Sequence, residues 1–407
     1  MKIVFVHRRG PGQFVHLACH LANAGWQVSF LCEGMNVKLP GIRILRHRSS
    51  DALPDHAKPA SHVDLHTQVG HQAADTLATL VAQEGKPDIV FGHIGWGSMM
   101  FARDVLPDTP LLGYCEHFYH AKGRDVGFDP QDQVSLNQRK QLRLRNSSQL
   151  LTLEQIDAGV SPTQWQRAAY PPLLRSKIGV CHDGIDMQRC KPDASVKFAL
   201  PDGRIVDRNT PVITYVARDL EPYRGFPQFM RAAAKVSQSR PDALFLVAGG
   251  DGVSYGAPAP DGRPWRKVMM EETGIDPSRI VFLGQIPHEQ LVTLFQVSRA
   301  HVYLTFPFVL SWSVLEAMAC GTLVIGSNTG PVEEVIQHGK NGLLTDFWDT
   351  ELLANQIRDV LDNPARYTAL RQNGRQLVAH KYDLDRCLAR QTGALERLAA
   401  HSDMNIA

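Results

Sequence analysis

The feature that most constrains this chain is a rhythm that runs, breaks and restarts. A short apolar run at residues 3–6 is followed by Arg8-Arg9-Gly10-Pro11-Gly12, a helix-like segment at 13–23 and a second apolar run at 27–31. Strand, glycine-rich turn, helix, strand is the start of a doubly wound α/β domain. Residues 88–91, 110–114 and 177–180 read as further buried parallel strands. A polar stretch at 123–148 interrupts, with Arg139, Lys140, Arg143 and Arg145 on an expected helix. Residues 190–210 read as a linker or hairpin. At Pro211 the rhythm restarts, with strands expected at 212–216, 244–248, 280–283, 301–305 and 322–325 and helices at 226–236 and 314–320. Beyond Asn341-Gly342-Leu343-Leu344 the chain is expected to be helical. The expected fold class is α/β, with two tandem doubly wound domains.

A length of 407 residues suits two or three domains. With 43% hydrophobic and 21% charged residues the composition is that of a soluble globular protein. A formal net charge of +2 leaves no footprint for nucleic acid. Residues 1–190 are mildly basic, with 20 basic against 17 acidic residues, and hold 12 of the 17 histidines. That is a weak pointer to an anionic ligand or membrane surface on this half. No uncharged apolar run approaches the ~18 residues a membrane span needs. The opening residues are not read as a signal peptide, because Arg8 and Arg9 follow the short apolar run at once. The seven scattered cysteines form no Cys-x-x-Cys pair, so neither a disulfide framework nor a zinc ribbon is expected and a cytoplasmic location is.

Four groups of residues carry chemistry. Arg218 and Arg224, on either side of Asp219-Leu220-Glu221-Pro222-Tyr223, sit between a strand and a helix, where two guanidinium forks suit phosphate oxygens. Ser311 or Ser313 suits the N-cap of a helix carrying Glu316, whose start can receive a phosphate. Gly12 and Gly250 follow strands and permit close approach of a ligand, or simply make tight turns. No full Gly-x-Gly-x-x-Gly pattern is present, which disfavours a dinucleotide. Glu116 and His117 follow a strand of the first domain, where either suits a general base or a sugar contact. His62 and His66 with Asp64 and His71 lack the glutamate of a His-Glu-x-x-His site, so no metal is expected there. Asp383 is read as a helix cap.

Taken together, the chain resembles the retaining glycosyltransferases of family four. The resemblance rests on Arg218 with Arg224-Gly225, on Leu315-Glu316-Ala317-Met318-Ala319-Cys320-Gly321, on Gly330-Pro331 with Glu333 and Glu334, and on His182-Asp183-Gly184-Ile185-Asp186. Gly92 to Gly97, Asp125 to Pro130 and Gly159 to Thr163 resemble a bacterial subgroup of surface-polysaccharide assembly. The resemblance implies the GT-B fold, two Rossmann-like domains facing a central cleft. Residues 1–190 would be the acceptor-side domain and 191–380 the donor domain, with 381–407 a helix returning to the first. It implies a nucleotide-diphosphate sugar as co-substrate, with no other cofactor and no metal. Arg218 and Arg224 would stabilise the leaving diphosphate, with Glu116 or His117 at the active edge of the first domain. Gly12, Gly250, Phe308, Val309, Leu310, Ser311, Trp312, Ser313 and Glu316 would complete the donor site, Glu316 on the ribose hydroxyls.

Two departures stand out: Phe308 occupies the place of the family's first glutamate, and Arg224 that of its lysine. The acceptor implied is a glycan or a lipid-linked sugar, with peripheral membrane contact through Arg8, Arg9 and the basic helix. A monomer or homodimer is expected. The function expected is sugar transfer with retention of configuration. The alternatives are a catalytically silent sugar-nucleotide-binding protein and another GT-B enzyme such as a nucleotide-sugar epimerase.

Overall fold

The computed structural model describes residues 1–35, 37–48 and 61–402. The chain divides into two units, Met1–Gly184 together with Leu384–Ala407, and Ile185–Asp383. Both are three-layer α/β units built on a wholly parallel sheet. The first sheet has the order Ile42–Arg46, Gln27–Cys32, Lys2–Val6, Ile89–His93, Leu111–Tyr114, Ala158–Ser161, Ile178–Val180. The second has the order Ile280–Gly284, Leu244–Gly250, Val212–Asp219, Ala300–Tyr303, Leu323–Ser327, Leu343–Thr345. In each, the first strand of the sheet is central and the winding reverses beside it. These reversals lie between Lys2–Val6 and Ile89–His93, and between Val212–Asp219 and Ala300–Tyr303. At such a point adjacent crossover helices part and leave a crevice beyond the carboxyl ends of the strands.

The sequence dictates this layering through period-two burial. Along Lys2–Val6, Ile3 and Phe5 enter one apolar cluster with Phe14, Leu17 and Phe30. Val4 and Val6 enter another with Leu77, Leu80 and Val90. Leu388 and Leu395 of the final helix, Leu384–Ser402, belong to the first of these clusters. That helix is therefore part of the first unit, and Asp383 directly precedes it. In the second unit Leu244, Leu246 and Ala248 face Val212 and Leu294, while the ring of Phe245 meets that of Phe229.

Several elements differ from the sequence reading. Val212–Asp219 runs three residues past the expected end, with an irregular register between Val216 and Asp219, so Arg218 lies in the strand and not in the loop. The stretch 190–210, expected as a linker or hairpin, does hold a hairpin, of Lys197–Ala199 and Ile205–Asp207. Leu343–Thr345 is an edge strand just before the expected helical region, to which no element was assigned, three residues being too few to show a period. Ile42–Arg46 is a further edge strand, its apolar residues interrupted by Arg43. His62 and His66 lie on the long helix Ser61–Glu84, but His66 is a core residue, its Nδ1 2.8 Å from Ser148 Oγ.

Burial pushes the imidazoles of His7 and His66 down to about 3 and that of His182 to about 4, all in the first unit. In the second unit burial does the same to His301, to about 3. A histidine depressed in the folded state binds its proton only on unfolding. Its contribution is complete above the unfolded value near 6.5 and is lost progressively as pH falls toward the folded value. Burial raises Glu221 of the second unit, which acts in the opposite sense. Acidification from pH 7 to 5.5 should therefore cost the first unit about 1 kcal/mol per depressed histidine and the second unit less. Hydrogen exchange at the two pH values checks this: protection should fall more in the sheet holding His7 than in that holding His301.

Candidate functional site

In the second unit the turn after Val212–Asp219 is shaped by two acids, Asp219 and the buried Glu221. Asp219 accepts from the Gly252 N–H at 3.2 Å and from the Ser254 hydroxyl. Glu221, fully buried, accepts from the Tyr255 N–H at 3.1 Å and the Gly256 N–H at 2.9 Å. These bonds fold the 250–256 loop back over the turn. Tyr255 thereby comes against Tyr223 and Phe308, with centroids 5.8 and 5.1 Å away. Gly225 has φ +71°, and a Cβ there would meet Leu304 Cβ at 2.4 Å, so only glycine fits.

Arg224 sits inside this cage, 8% exposed. Its Nη1 donates to Thr305 Oγ1 at 2.7 Å, to the Val309 carbonyl at 3.2 Å and to the Tyr303 hydroxyl at 3.3 Å. Its guanidinium carbon stands 5.1 Å from the Tyr255 ring centre and 5.7 Å from that of Phe308. Burial works against its charge, but the hydroxyls of Tyr303, Tyr255 and Tyr223 keep the guanidinium above its ordinary value. These hydrogen bonds all go to neutral oxygens. Arg218 is exposed at the strand end, 6.0 Å from the Tyr255 ring, and makes no ion pair among the described residues.

The Tyr303 hydroxyl also accepts from the Ser311 N–H at 2.8 Å, tying Arg224 to a helix start. Ser311 caps Trp312–Ala319 through the Ser313 N–H at 3.3 Å, and the Ser313 hydroxyl donates to Ser311 Oγ at 2.9 Å. Glu316, one turn on and 7% exposed, lies 2.7 Å from His288 Nε2. That bond raises the half-exposed imidazole above its ordinary value. Val309 and Leu310 lie beside Phe308 on the entry to the helix, and the Val309 carbonyl is used by Arg224. Gly250 ends Leu244–Gly250, where a Cβ would meet Asp219 Oδ1 at 2.5 Å.

In the first unit the crevice is imidazole and carboxylate. His7 follows Lys2–Val6 and His93 ends the adjacent strand Ile89–His93, with rings 5.1 Å apart and steeply inclined. Each Nδ1 accepts a backbone N–H two residues on, from Arg9 and from Gly95, both at 3.0 Å. That leaves the proton on Nε2. Nε2 of His93 donates to Glu116 Oε2 at 3.2 Å, and the Gln13 amide donates to Glu116 Oε1 at 2.5 Å. Burial works against the Glu116 charge, but the His93 and Gln13 hydrogen bonds and the nearby His7 hold its carboxyl below the usual range. Gly12, at φ +52°, packs on His7: a Cβ would meet Nε2 at 2.8 Å. His117 turns elsewhere, 3.6 Å from Asp125 and edge-on to Tyr119. Of the two residues, Glu116 is thus the one placed with Gly12 and His93.

The sequence reading missed His7, Gln13, Glu221, Tyr255, Tyr303, Thr305 and His288. His7, Tyr303 and Thr305 had a usable signal, since each closes or follows a strand at the crevice. Tyr255 and His288 reach the site only through the fold.

Two family models match the chain, one to each unit: "Glycosyl transferase family 4 group" over residues 24–190 and "Glycosyl transferases group 1" over residues 202–377. A D-inositol 3-phosphate glycosyltransferase of Rhodococcus jostii is 28% identical over 197 residues, 48% of this chain and 42% of that protein. The enzyme of the same name from a Mycobacterium species is 30% identical over 188 residues, 46% and 40% of the two chains. The chain thus spans about two fifths of the length of the curated relatives it matches. Sucrose-phosphate synthase from Thermosynechococcus elongatus superposes with a TM-score of 0.75 at 21% identity, covering 98% of this chain and 100% of that one. HepE of Anabaena in complex with UDP-glucose does so with a TM-score of 0.68 at 16% identity and the same coverage.

Removing the Glu221 carboxylate leaves the Tyr255 and Gly256 N–H groups without this acceptor. Glu221→Ala should cost about 1–3 kcal/mol of stability in the second unit, read as a lower urea midpoint. Glu221→Gln, which keeps one oxygen, should recover most of it.

Proposed function

Because the chain belongs to the family-four glycosyltransferases and has their GT-B fold, we propose that it moves a sugar from a nucleotide-diphosphate donor to a glycan or lipid-linked acceptor. The observation that carries this reading is Arg224: a buried guanidinium bonded only to neutral oxygens, tied through Tyr303 to the start of the Glu316 helix. Desolvated positive charge fixed before the reaction favours the state in which diphosphate charge develops, which is the requirement for lowering a barrier. Arg218, at the open strand end, supplies a second fork for the same oxygens. Ser311 and Ser313 at the helix start take a phosphate, and Glu316 accepts from the ribose hydroxyls. Phe308, Val309 and Leu310 contact the sugar through ring face and backbone. No metal is assigned to the transfer step.

The donor to try first is a UDP-sugar, since HepE was solved with UDP-glucose and a trehalose-6-phosphate protein of E. coli with UDP-2-fluoro glucose. We assign the acceptor to the first unit, where Glu116 is held ionised beside His93 and accepts a sugar hydroxyl. Retention follows if the acceptor hydroxyl attacks the face that the diphosphate leaves and gives its proton to that diphosphate. Arg139, Lys140 and Arg143 are exposed on Leu136–Arg145 and suit peripheral contact with anionic lipid, whereas Arg145 stacks on Tyr119 at 4.0 Å. Among the described residues no helix is long and apolar enough to cross a membrane.

The test is binding and turnover with UDP-, GDP-, ADP- and TDP-sugars. One nucleotide should raise the melting temperature, with slow release of its diphosphate. Arg224→Ala should lower kcat/KM by about 10- to 150-fold, the equivalent of one charge-assisted hydrogen bond of ~1.5–3 kcal/mol. Unchanged turnover in that variant would remove the diphosphate role. Stabilisation without turnover across acceptors would favour a silent binder.

A further inference from the structure

The second unit brings together three metal-ligating side chains that no sequence spacing announces. The Cys190 sulfur, a His288 ring nitrogen and a Glu316 carboxylate oxygen all lie within 4.8 Å of one another. They come from three separately anchored places. Cys190 is held in a turn by its N–H to the Asp186 carbonyl at 2.8 Å. His288 is the first residue of His288–Val297. Glu316 is in the middle of Trp312–Ala319. The helix is capped by Cys320, one turn beyond Glu316, whose thiol is pushed up by the neighbouring thiol of Cys190 and by burial. A second sulfur therefore stands behind the first.

The donor set selects the ion. Sulfur, imidazole nitrogen and carboxylate oxygen together suit zinc and its neighbours, while magnesium and calcium take oxygen ligands. Zinc binds sulfur at about 2.3 Å and nitrogen or oxygen at about 2.0–2.2 Å, so ligands of one ion stand roughly 3.3–3.7 Å apart. Closing the present triad onto an ion asks for a movement of about 1 Å. The His288 side chain is 43% exposed and supplies both the play and the route of entry. That exposed side also leaves a fourth position to water, unless Cys320 takes it.

We propose that Cys190, His288 and Glu316 form a site for a zinc-class divalent ion, and that this ion and a bound nucleotide exclude each other because both use Glu316. The second half rests on the ribose role assigned to Glu316 above; the first half does not. An ion held there would withdraw the carboxylate from the ribose hydroxyls and inhibit transfer by competing with the donor, not by altering the reacting groups.

Cobalt(II) is the probe, because a thiolate bound to it gives a charge-transfer absorption that oxygen ligands do not. The full chain, stripped of metal by chelator and kept reduced, should bind one cobalt ion with that band and release it to zinc. Cys190→Ala should abolish the band. His288→Gln changes a half-exposed residue and keeps a hydrogen-bonding side chain beside Glu316. It should weaken binding by at least the ~10-fold that loss of a mere supporting partner costs. UDP should displace the ion, and added zinc should raise the KM for the donor sugar with kcat unchanged. Absence of the band, or a band that survives both substitutions, would overturn the site. A band lost in Cys190→Ala but untouched by saturating UDP would keep the site and overturn the exclusion, and would take the ribose role from Glu316. Failure of the metal-free chain to bind any nucleotide would instead count against the donor reading, with the band still deciding the metal.

Discussion

Both units obey one constraint: a strand in a parallel sheet can return only through a crossover, so every carboxyl end opens on the same edge. The turns at that edge are free of the need to pair with a neighbour, and where the winding reverses they are also free of a covering helix. Polar chemistry collects there because it is the one part of a parallel sheet not required to be apolar on both faces. In the first unit the reversal receives His7 and His93 from adjacent strands. In the second it receives Arg224 from the turn after Val212–Asp219, and Tyr303 from the neighbouring strand. The two crevices are built alike and filled with opposite chemistry, an ionised carboxylate held by imidazole in one and, in the other, a guanidinium that makes no ion pair among the described residues.

Holding such groups still requires groups that never touch a ligand. Glu221 accepts two N–H groups of the 250–256 loop and so presents Tyr255 to Arg224. The backbone N–H groups of Arg9 and Gly95 fix the ring orientation and tautomer of His7 and His93. The two arrangements differ in reach. Each histidine is satisfied by backbone two residues on, within a turn already formed, whereas Glu221 captures N–H groups 34 and 35 residues along the chain.

The parts of this legible in the sequence are those in which strand, turn and helix follow one another along the chain. Arg218, Arg224-Gly225, Ser311 and Glu316 fall in that class, and so does Glu116 at the end of a strand. What was not legible depends on the chain folding back. Tyr255 belongs to the site only because Glu221 captures its loop. His288 meets Glu316 because the start of one helix packs beside the middle of another. The edge strands Ile42–Arg46 and Leu343–Thr345 were missed for a different reason: an edge is half solvated and short, so neither an unbroken apolar run nor a period appears. The reading of His62 and His66 as an i, i+4 pair was correct in spacing. It could not tell that one of them faces Ser148 in the core.

The two departures from the family pattern, Phe308 and Arg224, prove to be neighbours and are better understood as one. The Phe308 ring centre lies 5.7 Å from the guanidinium carbon and edge-on to Tyr223. A carboxylate in that position would stand within reach of the cation and pair with it. An aromatic ring leaves the charge unpaired, removes water from one side of it and offers only its weakly negative face. Lysine, a compact and strongly hydrated ion, is poorly suited to such a dry cage. Guanidinium is more weakly hydrated, and its planar fork reaches the Thr305 hydroxyl, the Tyr303 hydroxyl and the Val309 carbonyl at once. The exchange of glutamate for phenylalanine and of lysine for arginine is thus a single solution to keeping a positive charge buried, oriented and available to an anion.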